Sequence, residues 1–230
     1  MASENNLTAV FTDIANAIRD KKGSVNTMKP INMADEINSI QVGDTNFKDL
    51  VERTITTIDD DTITKVGYNA FQNCNNLISV SLPQATSIGN YAFQECSKLT
   101  SINFPNATSI GDYAFYECSS LTSANFPLAT SIGNYAFQKC SKLANINISS
   151  ATSIGSSVFQ YCSSLTTLIL RANQVCTLSK TNTFSETPIA TSSTEGFIYV
   201  PDNLVESYKT ATNWSTYASK IKGLSELPTE

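Results

Sequence analysis

From residue 85 the chain reads ATSIGNYAFQECSKLTSINFPN, and from residue 107 it reads ATSIGDYAFYECSSLTSANFPL. Aligned on itself without gaps, it yields five 22-residue units over 63–172. A fixed period of this length marks a solenoid, in which no unit can bury its apolar side alone and neighbours stack into one core. In the unit that starts at Ala85, the positions of Ile88, Ala92, Phe93, Cys96, Leu99, Ile102 and Phe104 stay apolar or small in every copy. Phe71, Phe93, Phe115, Phe137 and Phe159 form one such column, and Leu77, Leu99, Leu121, Leu143 and Leu165 another.

The stretch LTSINFP places Leu99, Ile102 and Phe104 so that its second half alternates with strand period. One strand per unit, stacked in parallel at about 4.8 Å, predicts a slab roughly 20–25 Å long, a docking surface and not a pocket. Gly67, Gly89, Gly111, Gly133 and Gly155 recur at one position and are expected to supply a turn with positive φ. The YAF that follows leaves room for a short helical turn, and Pro83, Pro105 and Pro127 end the strands.

Composition removes several classes of chemistry. A net charge of -5 lacks the basic footprint that nucleic acid requires. The apolar runs are too short to span a membrane, and the start MASENNLTAV reads as no export signal. The chain has no histidine, so the usual general base, nucleophile partner and zinc ligand are missing. Acidic residues such as Glu95, Asp112 and Glu117 fall at no spacing that defines a catalytic pair. We therefore expect no enzyme activity, no catalytic residues, no cofactor and no metal.

Cys74, Cys96, Cys118, Cys140 and Cys162 recur once per unit, with Cys176 outside the register. A disulfide needs Cβ atoms about 3.8 Å apart and converging, whereas equivalent side chains in a parallel stack point the same way nearly 5 Å apart. The pattern favours a ladder of buried free thiols over a disulfide framework, and with it folding in a reducing cytosol.

The ends of a solenoid need caps. LVERTITTIDDD reads as an edge strand within 45–62, where Asp59, Asp60 and Asp61 would discourage further strand addition. Over 173–230 follow a degenerate repeat, the strand GFIYVP, a helix through Tyr208 with Asn203 and Glu206 as a capping box, and a second short helix anchored by Trp214. Residues 1–44 read as two helices: Leu7, Phe11, Ile14 and Ile18 share one apolar stripe, and NMADEINSI starts the second. Two helices this small must pack on something else. A simple cap for the solenoid is the plainer use of them.

The unit ATSIGNYAFQECSKLTSINFP resembles the Treponema-type, or BspA-like, leucine-rich repeat: Ile-Gly, then Ala-Phe, a Cys, and a Leu-rich strand ending in Pro. Val158 in place of alanine, and Ser149 and Arg171 in place of proline, are the departures. IYVPDNLVESYKTATNWSTYASKI looks like the usual terminus of such proteins. The resemblance implies an α/β repeat solenoid, a right-handed coil with a parallel strand ladder, here preceded by a small two-helix N-terminal module. It implies extracellular binding modules and proteins of bacterial surfaces, protists and bacterial viruses, with no particular ligand. Residues LTAVFTDIANAIRDKKGSVNTMKPINMADEINSI resemble the amino-terminal segment of tail-associated proteins in phages and prophages of Gram-positive bacteria, which implies an attachment device.

Two exposed rows are candidate ligand sites. Outward strand positions offer Ser101, Asn103, Ser123, Asn125, Asn145 and Asn147, neutral donors and acceptors suited to a glycan or a protein edge, although such residues also simply solubilise a strand. Tyr91, Tyr113 and Tyr135, with Tyr116 nearby, form an aromatic column that could equally lie half-buried over the core. The expected function is non-enzymatic recognition of a host cell-surface glycan or protein by a phage tail or baseplate component. The N-terminal helices would dock to tail proteins or make a homo-oligomer, and the chain would be made in the bacterial cytoplasm and end in the virion. A structural or assembly protein binding another virion or cellular protein is the alternative.

Overall fold

The computed structural model describes residues 41–42, 45–46, 55–191 and 195–228. The helices expected over 1–44, with Leu7, Phe11, Ile14 and Ile18, lie outside these residues. At their expected boundary, β1 (Gln41–Val42) pairs antiparallel with β2 (Thr45–Asn46).

The repeats form a solenoid with two strands per coil, not one. The three-residue strands are β3 (Thr57–Asp59), β5 (Ser79–Ser81), β7 (Ser101–Asn103), β9 (Ser123–Asn125), β11 (Asn145–Asn147) and β13 (Thr167–Ile169). Between them run the two-residue strands β4 (Lys65–Val66), β6 (Ser87–Ile88), β8 (Ser109–Ile110), β10 (Ser131–Ile132), β12 (Ser153–Ile154) and β14 (Thr177–Leu178). The short strands pair in one unbroken parallel ladder of six. Its signal lay in the recurrent ATSI, where Ala85, Ala107, Ala129 and Ala151 are fully buried beside the isoleucines. Thr86, Thr108, Thr130 and Thr152 sew this ladder, each hydroxyl donating to the threonine carbonyl one coil earlier at 3.0–3.2 Å.

The long strands form a second ladder that opens once, between β7 and β9. Ala124 stands there between the bulkier Ile102 and Ile146, and Phe104 stacks on Phe126 at 6.1 Å. Phe71, Phe93, Phe115 and Phe137 stack at 5.2–5.3 Å. The lost pairing coincides with the smallest inward side chain of the ladder, Ala124.

Two expectations about the turn after each glycine are corrected. Among the described residues the glycine with positive φ is Gly196, whereas Tyr91, Tyr113, Tyr135, Glu95, Glu117 and Lys139 adopt φ of 57–62°. Gly89, Gly111, Gly133 and Gly155 serve close approach instead: a Cβ on any of them would fall within 2.5–2.8 Å of the preceding coil. Nor does YAF make a helical turn. The N–H groups of Tyr91, Phe93 and Glu95 donate to carbonyls of the next coil at 2.7–2.8 Å, while those of Ala92, Gln94 and Cys96 close turns within their own coil. That alternation excludes a helix from the coils, so the helical part of the expected α/β architecture is confined, among described residues, to the C-terminal cap.

All six cysteines are free and buried, as the spacing argument required. Cys96, Cys118, Cys140 and Cys162 each donate a thiol hydrogen to a phenylalanine carbonyl of the preceding coil at 3.0–3.2 Å. At the N-terminal edge Asp60 is buried, not a deterrent to pairing, and its carboxylate accepts from the N–H and hydroxyl of Thr62 and the N–H of Ile63.

The C-terminal cap extends the array. β15 (Phe197–Val200) continues the long-strand ladder from β13, and β16 (Ile221–Gly223) adds to β15. Helix α1 (Val205–Thr210) lacks the expected Asn203–Glu206 capping box, and Glu206 pairs with Lys209 at 2.9 Å instead. Trp214 anchors the cap as expected. It is buried against Phe184, which extends the phenylalanine column, and its Nε1–H donates to the Cys176 carbonyl at 2.6 Å.

Candidate binding faces

The long-strand ladder alternates as its sequence demands: Ile58, Val80, Ala124, Ile146 and Leu168 point into the core, and the residues beside them face out. Ser101, Asn103, Ser123, Asn125 and Asn145 are exposed, and Asn147 is half-buried. Their polar groups are partly paired along the stack. Asn103 donates to the Ser81 hydroxyl at 3.2 Å and Asn147 to the Asn125 carbonyl oxygen at 2.9 Å. The parallel register sets equivalent side chains side by side, Asn145 opposite Ser123 and Asn147 opposite Asn125.

Tyr91, Tyr113 and Tyr135 also come together, but not as an open aromatic surface. Their rings stack face to face, Tyr91 on Tyr113 at 4.9 Å and 5°, Tyr113 on Tyr135 at 4.6 Å and 15°. Ring faces that the sequence offered to a ligand are largely occupied by neighbouring rings, and the stack presents edges and hydroxyls. Burial, then the phenols of Tyr135 and Tyr91, push the Tyr113 hydroxyl above its usual pKa.

Tyr116 differs. Its ring is tilted 60° to that of Tyr113 at 5.6 Å, and the Lys139 ammonium lies 5.1 Å from its centroid. Lys139 also pairs with Glu117 at 2.5 Å, and that hydrogen bond holds the Glu117 carboxyl below the usual range against the opposing effect of partial burial. Beside them lies a depression of about 330 Å³ lined by Asn75, Glu95, Ser97, Glu117, Ser119 and Lys139. The sequence reading passed over this polar rim because its residues lie in different units, four coils wide in all. The aligned period could have found it, since these residues fall in only two columns of the unit.

Among the described residues, no three His, Cys, Asp or Glu side chains come together in a way that could hold a metal ion. No described helix is long and apolar enough to cross a membrane.

A 22-residue coil with a parallel strand ladder and a buried cysteine column defines a leucine-rich-repeat solenoid of the cysteine-bearing kind. The chain belongs to the family described as the BspA type leucine rich repeat region (6 copies), whose model matches residues 23–130 and 86–205. A leucine rich repeat protein of T. pallidum is similar, 33% identical with a TM-score of 0.46 over 47% of this chain and 53% of that one. A leucine rich cell surface protein of Faecalibacterium prausnitzii A2-165 is 27% identical with a TM-score of 0.41 over 52% and 40%. The pneumococcal vaccine antigen PcpA is 17% identical with a TM-score of 0.47 over 73% and 42%. The chain thus spans about half or less of the length of these proteins. A search of curated proteins finds no match. The resemblance of the N-terminal segment to phage tail proteins finds no support in these comparisons.

Proposed function

We propose that the protein is a non-enzymatic recognition module whose solenoid binds a glycan or protein of a host cell surface. One observation carries this reading. The long-strand face sets small, neutral donors and acceptors in register within two blocks of coils, Ser79 and Ser81 beside Ser101 and Asn103, and Ser123 and Asn125 beside Asn145 and Asn147, over a core that varies little. Between 63 and 172 the sequence has five basic and three acidic residues, against ten and seventeen in the remainder. Such a face suits hydroxyl-rich or backbone-edge partners better than phosphate.

In its finer form, the N-terminal segment mounts the solenoid on a phage tail or baseplate, and the chain acts from the virion. This rests on the motif LTAVFTDIANAIRDKKGSVNTMKPINMADEINSI. A triple Asn103→Ala, Asn125→Ala, Asn147→Ala variant should lose host-cell binding with a nearly unchanged melting curve. Unchanged binding would remove the strand face. Mass spectrometry of gradient-purified particles tests the mounting separately, through peptides of this chain at a stoichiometry that fits tail symmetry. The alternative of a structural spacer draws on the Asn103–Ser81 and Asn147–Asn125 bonds, which pair part of the face internally.

A further inference from the structure

We infer that the depression beside Tyr116 is a saccharide-binding site, distinct from the strand face and built where the array departs from its own repeat. This rests on the recognition reading above and names a ligand class and a place for it.

Near-identical units make departures informative. The position of Tyr116 is glutamine in every other unit: Gln72, Gln94, Gln138 and Gln160. Where glutamines are adjacent they bond along the stack, Gln72 to Gln94 at 2.8 Å and Gln138 to Gln160. Tyr116 interrupts that amide ladder in the middle of the array. Gln94 turns its amide to Glu95 at 3.0 Å instead of to the next coil. The core does not call for the exchange, because the position is half-buried and the neighbouring Phe115 and Cys118 match the other units.

The exchange places an aromatic ring next to a rim of unusual composition, 5.1 Å from the ammonium of Lys139. Glu95 and Glu117 occupy one column on consecutive coils, Lys139 takes the same column one coil later, and Asn75, Ser97 and Ser119 line a second. A carboxylate accepts from neighbouring hydroxyls, an ammonium and an amide donate to them, and an aromatic ring packs against the C–H face of a pyranose. The single ammonium is already paired with Glu117, so the rim has no spare cation for a phosphate or carboxylate ligand. A neutral polyol suits the set. The lining residues span four coils, about 14 Å at strand spacing, long enough for a short oligosaccharide and not a single sugar. Tyr161, the next residue of the Lys139 column, is 47% exposed one coil further on.

Tyr116→Gln tests this, because glutamine already folds at this position in four units. The probes are cellotetraose, maltotetraose and N-acetylchitotetraose, titrated into the whole 230-residue chain and followed by saturation-transfer NMR and calorimetry. At least one should bind the wild-type chain, at least tenfold more weakly after Tyr116→Gln or Glu117→Gln, with the melting temperature of Tyr116→Gln held. No binding by any probe, or equal binding by Tyr116→Gln, would overturn the site. Host-envelope binding separates the two readings. Loss with the triple asparagine variant but not with Tyr116→Gln leaves recognition standing and removes this site. Tyr116-dependent probe binding without any envelope binding keeps the site and removes the host-surface reading.

Discussion

A methyl group on the Cα of Gly133 would lie 2.5 Å from the backbone carbonyl carbon of Gly111 in the preceding coil. The glycine column is therefore the axis on which the coils close, each backbone resting on the last. A turn glycine with positive φ would tolerate asparagine; this one should not. Gly133→Ala and Gly133→Asn are both expected to cost about 2–3 kcal/mol in urea unfolding, since the obstructing atoms are backbone. A tolerated asparagine would return the column to a turn role.

Burial raises the thiol pKa of Cys118, Cys140 and Cys162 well above the usual value and that of Cys176 to about 12. Neither access nor thiolate is available to an oxidant. In the native chain none of the six cysteines should react with a disulfide reagent at about pH 8, and all six should react in guanidinium. Fast titration of even one thiol in the native state would contradict the closed ladder.

Trp214 is the chain's one tryptophan and reports on the cap. Trp214→Phe leaves the buried Cys176 carbonyl without its indole donor and should cost about 1–3 kcal/mol. In the wild-type chain, tryptophan emission and backbone dichroism should lose signal together in urea if cap and array unfold as one; an earlier fluorescence transition would show the cap fraying first.

The Glu117–Lys139 pair makes a small, acid-sensitive contribution. Its carboxyl pKa is lowered in the fold, so the contribution is complete above the unfolded carboxylate pKa and is lost as pH falls through the lower folded value. Both side chains are more than a third exposed, and solvent screening keeps the pair to about 0.2–1 kcal/mol. Lys139→Met should lower the urea midpoint slightly at neutral pH, and the difference should vanish in acid.

Which features the sequence shows depends on the distance along the chain over which they are set. Columns of Phe93, Leu99 and Cys96 were legible because each residue's role repeats at a fixed interval, and burial by stacking follows from that interval alone. The free thiols followed for the same reason, since identical side chains one coil apart cannot converge. The Asn203–Glu206 cap failed because Asn203 lies inside a 3-10 turn, Asp202–Leu204, whose Asp202 carboxylate accepts from Ser225, 23 residues away. The tyrosine column was visible as a column, yet whether its rings offer faces or edges depends on χ angles set by the adjacent coils.

Periodicity thus carried the solenoid, its core, its thiol ladder and its neutral outer face, all consequences of translating one unit along an axis. Contacts between coils settled the rest. Close backbone approach explains the glycines, one ladder opens beside Ala124, and the four-coil rim beside Tyr116 exists only when residues 22 positions apart become neighbours. Such properties belong to the spacing and rotation between units, which depend on how whole coils pack and are written in no single repeat.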